Sequence, residues 1–518
     1  MRVRPKVAIV GGGASGIAAF CYLSRQFGNR FEYAIFDPCA PSELGKGQAY
    51  GVNGSEFLLN VPMGKMSLWE DHPDDFSEWI RRNHGSKVFA HHPYVPRSLY
   101  GEYLHENFAE WRSKTTRFTQ VRQAAIDCHL IGKSWRVTTG SGEKQDADLL
   151  VIATGYSGVE IPEPFRGLDP NRVLSCFGSD KLESIAASED LLIIGTGLSA
   201  ADLALYFIQR KWKGKVTFFS RHGAFPEPHR EFSPVPFRLG NFSGLSPRQI
   251  FSQVRRFHAL LAPANREMEL YSALRAQAQA VWSVWTLAEQ RRFQRHLEPI
   301  WRNVRHRSPK SIHDQIQQEL SNGRFKIARG FVRSATTEGR SACIEFSERG
   351  TGIRKKINSD RIILATGPKI SEKPTIRSWG SAEDSPRLWK IGPVARELFY
   401  EVTAMPEIRR QAELITQEIA GEDATGNFDL FLKHGRHLHE SYFAHFGKSM
   451  SFARATLGIS LKAALHAVFP FLYTDAASSR LRDLASKVSS RRVRSVNRAL
   501  EKGSSLTLAE VRKKNKAA

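Results

Sequence analysis

Acid and sulfur are the scarce materials of this chain. Against 75 Lys and Arg there are only 52 Asp and Glu, a formal net charge of +23, which selects for anionic partners and against cationic ones. The five cysteines, Cys21, Cys39, Cys128, Cys176 and Cys343, are scattered without CxxC spacing. That excludes a disulfide framework, a cysteine-rich zinc site and the close redox pair a disulfide reductase needs, and it fits a reducing compartment. Long apolar runs are missing too. The most apolar late stretch, Leu457 to Leu472, is interrupted by Lys462, His466 and Pro470, short of the roughly 18 uninterrupted residues of a membrane-spanning helix. No charged-then-apolar leader precedes the first strand, so the expected location is cytoplasmic. Histidines cluster at His84, His91 and His92 and again at His434, His437, His439 and His445. Neither group has ligand spacing, and no metal is expected.

What the sequence does have is a strand, a glycine turn and a helix start in immediate succession, Val7-Ala8-Ile9-Val10-Gly11-Gly12-Gly13-Ala14-Ser15-Gly16. Gly11 suits the tight turn, Gly13 lets the backbone approach a pyrophosphate, and Gly16 lets the helix pack close on the strand. The next strand, Phe31 to Phe36, ends at Asp37, at the spacing where an acid meets a ribose hydroxyl. A second copy follows in Leu191-Leu192-Ile193-Ile194-Gly195-Thr196-Gly197-Leu198-Ser199-Ala200, with Ala200 in the place of Gly16. Its following strand ends not on an acid but on Ser220-Arg221. A hydroxyl and a cation there suit a 2′-phosphate, which predicts NADPH.

Between and after the two turns, a β-meander over 118–150 closes on Ala153-Thr154-Gly155, and a similar run over 325–367 closes on Ala365-Thr366-Gly367. The repetition predicts that the chain leaves its first fold near 155 and re-enters it near 367. The expected class is α/β with two Rossmann-like dinucleotide-binding folds, the second inserted into the first. The expected boundaries are 1–165 with 325–420 for the first fold and 166–244 for the second. A helical insertion follows over 245–324, then a basic extension over 421–518. Within the helical insertion, Trp282 and Trp285 read as core, and Arg305-His306-Arg307 at a helix end reads either as helix-capping charge or as a contact to phosphate or an anionic substrate.

These motifs, with Gly47-x-Ala49-Tyr50-Gly51, Leu58-Leu59-Asn60-Val61-Pro62, Val95-Pro96-Arg97-x-Leu99-Tyr100-Gly101 and Ile391-Gly392-Pro393 through Arg409, resemble the bacterial FAD-NAD(P)-binding flavoprotein family. That family is related to the flavin-containing and N-hydroxylating monooxygenases. The resemblance covers about 5 to 418. It implies FAD on the first fold, held by Gly11, Gly13, Gly16, Asp37, Arg97, Gly155 and Gly367, with Asn60, Val61, Pro62, Gly392 and Pro393 flanking the flavin. NADPH falls to the second fold through Gly195, Gly197, Ala200, Ser220 and Arg221, with Arg305, His306 and Arg307 as candidates for phosphate or substrate. The related monooxygenases carry F-x-G-x-x-x-H between their glycine motifs. Here the nearest run is Phe165-x-Gly167-x-x-x-Asn171, a departure from the Baeyer-Villiger and flavin-containing types.

Hydride transfer from NADPH to flavin follows from two such folds in one chain. With no cysteine pair to reduce, the acceptor is molecular oxygen, in a monooxygenase acting on a small substrate, for which the positive charge also suits an anion, or else a quinone or partner, in a flavin reductase or dehydrogenase. A nucleotide sensor or nucleic-acid binder is the non-enzyme reading. Against nucleic acid, the basic residues lack interleaved aromatics, and no helix-turn-helix, KH or RRM pattern is present. From Arg480 to Ala518, twelve Lys or Arg face three acids. This tail reads either as a solvated appendage or as a contact to an anionic membrane surface.

Overall fold

A computed structural model describes residues 4–424 apart from 52–56, 86–92, 177–181, 231–241, 243, 378–386, 397–398 and 401. The basic extension, with its histidines and its expected membrane contact, lies outside the described residues, as do His91 and His92.

In the first fold, β1 (Lys6–Val10) leads through the glycine turn into α1 (Ala14–Phe27), then β2 (Glu32–Phe36), α2 (Asp75–His84) and α3 (Arg97–Ser113). Strand β3 (Phe118–Val121) is followed by a meander, β4 (Ala125–Ile131), β5 (Ser134–Thr139) and β6 (Lys144–Ala147), and by β7 (Leu149–Ile152) and β8 (Tyr156–Val159). The second fold takes up the chain with β9 (Val173–Ser175), β10 (Leu191–Ile194), α4 (Leu198–Gln209) and β11 (Val216–Ser220). Four helices then form a layer of their own, α5 (Pro247–Leu261), α6 (Glu267–Trp282), α7 (Leu287–His296) and α8 (Glu298–Arg305). Helix α9 (Lys310–Ser321) leads to β12 (Phe325–Glu338), β13 (Ser341–Glu348), β14 (Arg354–Ser359) and β15 (Arg361–Leu364). The return consists of β16 (Pro368–Ile370), β17 (Thr375–Arg377), β18 (Leu388–Lys390) and α10 (Met405–Ala424).

Strand order in the first sheet is β18-β7-β1-β2-β3, all parallel. Parallel strands are covered on both faces, which explains their nearly unbroken apolar sequence. Alternation sorts the two faces. Val7, Ile9 and Ile35 pack on the helical side, where Phe20 of α1 meets Tyr33 edge-on at 5.5 Å. Ala8, Val10, Ala34 and Phe36 face the meander through Cys128, Trp135 and Val137.

The second fold repeats that plan. Leu191 and Ile193 face α4 and Ile312 and Ile316 of α9, while Leu192 and Ile194 face Ala342, Ile344 and Phe346 of the second meander. Its sheet runs β14-β13-β12-β11-β10-β15-β9. The long β12 pairs parallel with β11 through Arg329, then turns antiparallel to β13 from Gly330, with a bulge at Val332/Ser334.

This topology moves one expected boundary. Residues 325–364 hydrogen-bond to β11, β10 and β9, so they belong to the second fold and not the first. The meander's likeness to that of 118–150 is the internal repeat of one architecture, and its resemblance to the first fold's own strands misplaced it. After 367 the chain pairs again with strands of the first half, β16 with β8, β17 with β4 and β18 with β7. The helical insertion likewise shortens to α5–α8, since α9 packs into the second core. Trp282 and Trp285 are core residues, clustered with Phe293.

Candidate functional site

The two glycine turns have the same geometry. Gly11 sits at φ +106°, its N–H donating to Phe36 O at 2.9 Å, and Gly195 sits at φ +122°, donating to Phe219 O at 2.8 Å. A Cβ on Gly11 would lie 2.5 Å from Ala153 O, and one on Gly195 would lie 2.2 Å from Ala365 O. Each turn thus presses on its own Ala-Thr-Gly strand end, which is why only glycine fits. The N-caps are alike too: Gly13 and Gly197 are extended and carry no side-chain cap. Around Gly197 there is nothing within 4 Å of a built Cβ, and around Gly13 only Gly47 Cα, at 3.6 Å. Two uncapped helix starts with room in front of them are what a pyrophosphate requires. At the position of Gly16, where a Cβ would come 1.9 Å from Gly11 O, the second copy buries the methyl of Ala200.

Asp37 closes the first turn. Its Oδ2 accepts Gly12 N–H at 2.7 Å and its Oδ1 accepts Cys39 N–H at 2.9 Å, which leaves lone pairs on both oxygens for hydroxyls. Two buried polar atoms around this turn lack a protein partner: Thr154 Oγ1 and Gln411 Nε2. Thr154 adjoins Gly11, and Gln411 accepts Gly392 N–H at 2.8 Å. Gly392, at φ +72°, lies against Ser15 at the start of α1. The Gly392–Pro393 turn therefore sits over the pyrophosphate end of the first fold. An FAD fits this cradle: the unpartnered atoms, the open N-terminus and Asp37 supply the contacts it needs.

Across from that cradle, Asn60, Val61 and Pro62 are half-buried on a loop braced by Leu59 N–H to Val95 O and Met63 N–H to Pro93 O, both 2.8 Å. Two contacts tie this region to the second fold. His229 Nε2 lies 3.0 Å from Asn60 O; because the carbonyl can only accept, the proton is on Nε2. Arg97 donates from Nε to Leu58 O at 3.0 Å and from Nη2 to Asp202 Oδ2 at 2.7 Å. Arg97, expected at the cofactor, thus spends its fork on protein groups, and burial pushes its partner Asp202 upward against the lowering field of the guanidinium. Gly155 and Gly367 lie where the two folds are joined, linked by Glu160 N–H to Gly367 O at 2.9 Å and Ser371 N–H to Gly155 O at 3.2 Å.

At the second turn Ser220 Oγ accepts from Thr196 Oγ1 and from Gly223 N–H, both at 2.9 Å. The Arg221 side chain is exposed. Arg349, from the turn after β13, donates to Arg221 O at 3.4 Å. Loss of solvent and then the fields of Arg349 and Arg221 lower the neighbouring His222. Sequence reading missed Arg349, which lies 128 residues from Arg221 and joins it only through the pairing of β12 with both β11 and β13.

The three candidates at the end of α8 divide. Arg305 reaches Glu407 of α10 at 3.5 Å, a carboxylate it shares with Arg275. Arg307 is 5% exposed and donates to Val304 O and Pro228 O, both at 3.1 Å, which anchors the chain at the end of α8. His306 is half-buried among arginines; desolvation first, then Arg305 and Arg302, push it down to about 4. In the unfolded chain the ring protonates near 6.5. As pH falls the unfolded state binds the extra proton first, so stability present above pH 6.5 is lost progressively down to about pH 4, by up to about 3 kcal/mol. His306→Gln is expected to flatten that part of a melting-temperature profile, and an unchanged slope would assign the loss to other groups.

All five cysteines are free. Burial pushes Cys128 and Cys176 up to about 12, so these thiols are poor nucleophiles. Among the described residues no helix is long and apolar enough to cross a membrane, and no metal-binding cluster is present.

Comparison with known proteins agrees with this geometry. The profile of an FAD-NAD(P)-binding family matches residues 8–157, and that of a family of unknown function matches 428–492. Curated thioredoxin reductases of Rickettsia typhi and Rickettsia conorii are each 22% identical, over 229 and 230 residues, 43% of this chain. The chain spans 58% of the length of these relatives. Among solved structures, ornithine hydroxylase of Pseudomonas aeruginosa superposes with a TM-score of 0.57 at 17% identity, covering 81% of this chain and 99% of that one. Ornithine N-hydroxylase of Kutzneria sp. 744, with reduced FAD, NADP+ and L-ornithine, gives 0.58 at 14%, covering 82% and 100%. L-lysine 6-monooxygenase of Pseudomonas syringae gives 0.55 at 13%, covering 81% and 99%. The chain therefore shares the fold of these structures, and its residues 8–157 match an FAD-NAD(P)-binding family.

Proposed function

We propose that the protein is an FAD-dependent, NADPH-consuming monooxygenase acting on a small molecule with molecular oxygen. The observation that carries this reading is the duplicated turn: two open, uncapped helix starts of one geometry, joined through His229 to Asn60 and Arg97 to Asp202. In this reading Gly11, Gly13 and Gly16 admit the FAD pyrophosphate and Asp37 takes the ribose hydroxyls. Asn60 to Pro62 and Gly392 with Pro393 flank the ring system. Gly195, Gly197 and Ala200 shape the NADPH pyrophosphate site. When bound, FAD supplies hydride acceptance from NADPH and electron delivery to oxygen. The chain's own part is orientation: the Arg97–Asp202 and His229–Asn60 contacts hold the second fold against the flavin loop, and the Arg305–Glu407 contact fixes the end of α8.

Five unpaired thiols, two of them buried, speak against a disulfide reductase despite the thioredoxin reductase relatives. The test is NADPH oxidation by the yellow holoprotein. Oxygen consumption that depends on an added organic substrate supports the monooxygenase, whereas rapid electron transfer to quinones without oxygen uptake supports the reductase. We place the protein in the cytoplasm, with the basic segment beyond 424 touching anionic membrane surfaces. Salt-sensitive sedimentation with phosphatidylglycerol liposomes tests that contact.

NADPH preference is assigned to Ser220, Arg221 and Arg349 together. A charge-assisted hydrogen bond to a phosphate is worth about 1.5–3 kcal/mol. Arg221→Ala and Arg349→Ala are each expected to raise KM for NADPH roughly tenfold and to leave KM for NADH unchanged. Equal effects on the two coenzymes would remove the residue from the 2′-phosphate site.

A further inference from the structure

The helical layer encloses a cavity of about 520 Å³, within the size range of small-ligand sites. Its walls are aromatic and aliphatic: Phe251 and Val254 of α5, Tyr271 and Trp282 of α6, and Tyr400. Among the described residues no carboxylate lines it. At its mouth stands Arg255, exposed and 6.0 Å from the Phe251 ring centre, with His258 beside it on the same helix, its Nδ1 3.0 Å from the Tyr271 hydroxyl. The Tyr400 ring packs tilted against Trp282, centres 4.9 Å apart, and its backbone N–H donates to Gln279 Oε1 at 3.0 Å. In the chain, Tyr400 lies between the Gly392–Pro393 turn and α10.

An amino-acid substrate such as ornithine or lysine carries an ammonium group, which needs a carboxylate or a cage of rings free of positive charge. Among the described residues this cavity offers no carboxylate, and Arg255 places a cation at its rim. We infer that it binds an anionic amphiphile, an apolar chain or ring body held among the aromatic walls with a carboxylate at the mouth beside Arg255. That this ligand is the substrate rests on the monooxygenase reading; that it binds does not. Charge complementarity also disfavours the chain's own basic tail as the occupant.

Equilibrium dialysis of labelled dodecanoate against full-length holoprotein tests the site without turnover. One saturable equivalent is expected, with dodecyltrimethylammonium at least tenfold weaker and no competition from lysine or ornithine. Ala278→Trp, which fills the cavity, is expected to abolish binding. Arg255→Glu, at an exposed position, is expected to weaken dodecanoate at least tenfold and to leave dodecanol unchanged. Flavin absorbance checks the folding of each variant. Absence of saturable binding, whether the cavity is closed or filled by residues beyond 424, overturns the inference, and so does wild-type affinity in both variants. Failure of NADPH to reduce the flavin while dodecanoate still binds would overturn the proposed function instead.

Discussion

Gly13→Val is expected to yield a folded protein with less than a tenth of the wild-type flavin. The site allows this separation of folding from binding because a Cβ at Gly13 meets only Gly47 Cα, at 3.6 Å, an ordinary contact. The backbone there is extended, at φ −75° and ψ −170°, which any residue adopts. The valine methyls would instead occupy the space in front of α1 that the pyrophosphate needs. Gly11→Val, by contrast, would drive a Cβ to 2.5 Å from Ala153 O at a positive φ, and loss of the folded protein is expected. The pair is read by absorbance at 450 nm on the purified variants and by circular dichroism. Melting temperature should be compared with wild-type protein stripped of FAD, since bound cofactor raises it by mass action. Full flavin occupancy in folded Gly13→Val would sink the assignment of the first turn.

Arg97→Met is expected to destabilise the protein by about 3 kcal/mol, the size of the penalty for stranding one member of a buried ion pair. Asp202 is 6% exposed as a residue and its carboxylate reaches Arg97 Nη2 at 2.7 Å; methionine fills the volume but leaves that charge uncompensated. The deficit should shrink on acidification. With its counter-ion gone, Asp202 has a folded pKa further above 3.8 than the upward shift it already shows, so the folded state takes up the proton before the unfolded chain does. Arg97→Met with Asp202→Leu should recover most of the loss, because the cost lies in the unpaired charge more than in the missing pair. Urea unfolding of the four proteins closes the cycle, and wild-type stability in Arg97→Met would show the contact to be solvated and without weight.

Much of the arrangement was legible in the sequence because its determinants are local. Gly11 to Gly16 and Gly195 to Ala200 each specify strand, turn and helix within a dozen residues, and Asp37 and Ser220-Arg221 fall at the end of the next strand. What could not be read depends on pairing between distant strands. The strand run at 325–367 looks like the first fold's own meander, and only hydrogen bonding to β11 and β10 assigns it to the second. Arg349 sits in an ordinary turn and gains meaning from its place beside Arg221. His229 gives no signal at all in a segment without periodicity; its role comes from one bond to the Asn60 carbonyl. Arg307 is open between two readings, helix-capping charge and a contact to a ligand, and the sequence has no signal for the two backbone carbonyls to which its guanidinium donates.

The ribbon of β8 and β16 has a bearing on the history of such chains. Val159 pairs with Pro368, and Tyr156 with Ile370, so the segment that makes up the second fold and its helical layer starts and stops at neighbouring points, about 5 Å apart across an antiparallel ladder. A module whose ends already touch can be spliced into a host without stretching it, and the host pays little loop entropy for even a long guest. Neither β7 nor β18 has to move to accommodate what lies between them. Acquisition, loss or exchange of the whole inserted unit in a single recombination event is therefore sterically cheap, and the boundaries of such an event would be marked by the two Ala-Thr-Gly sequences that flank the ribbon.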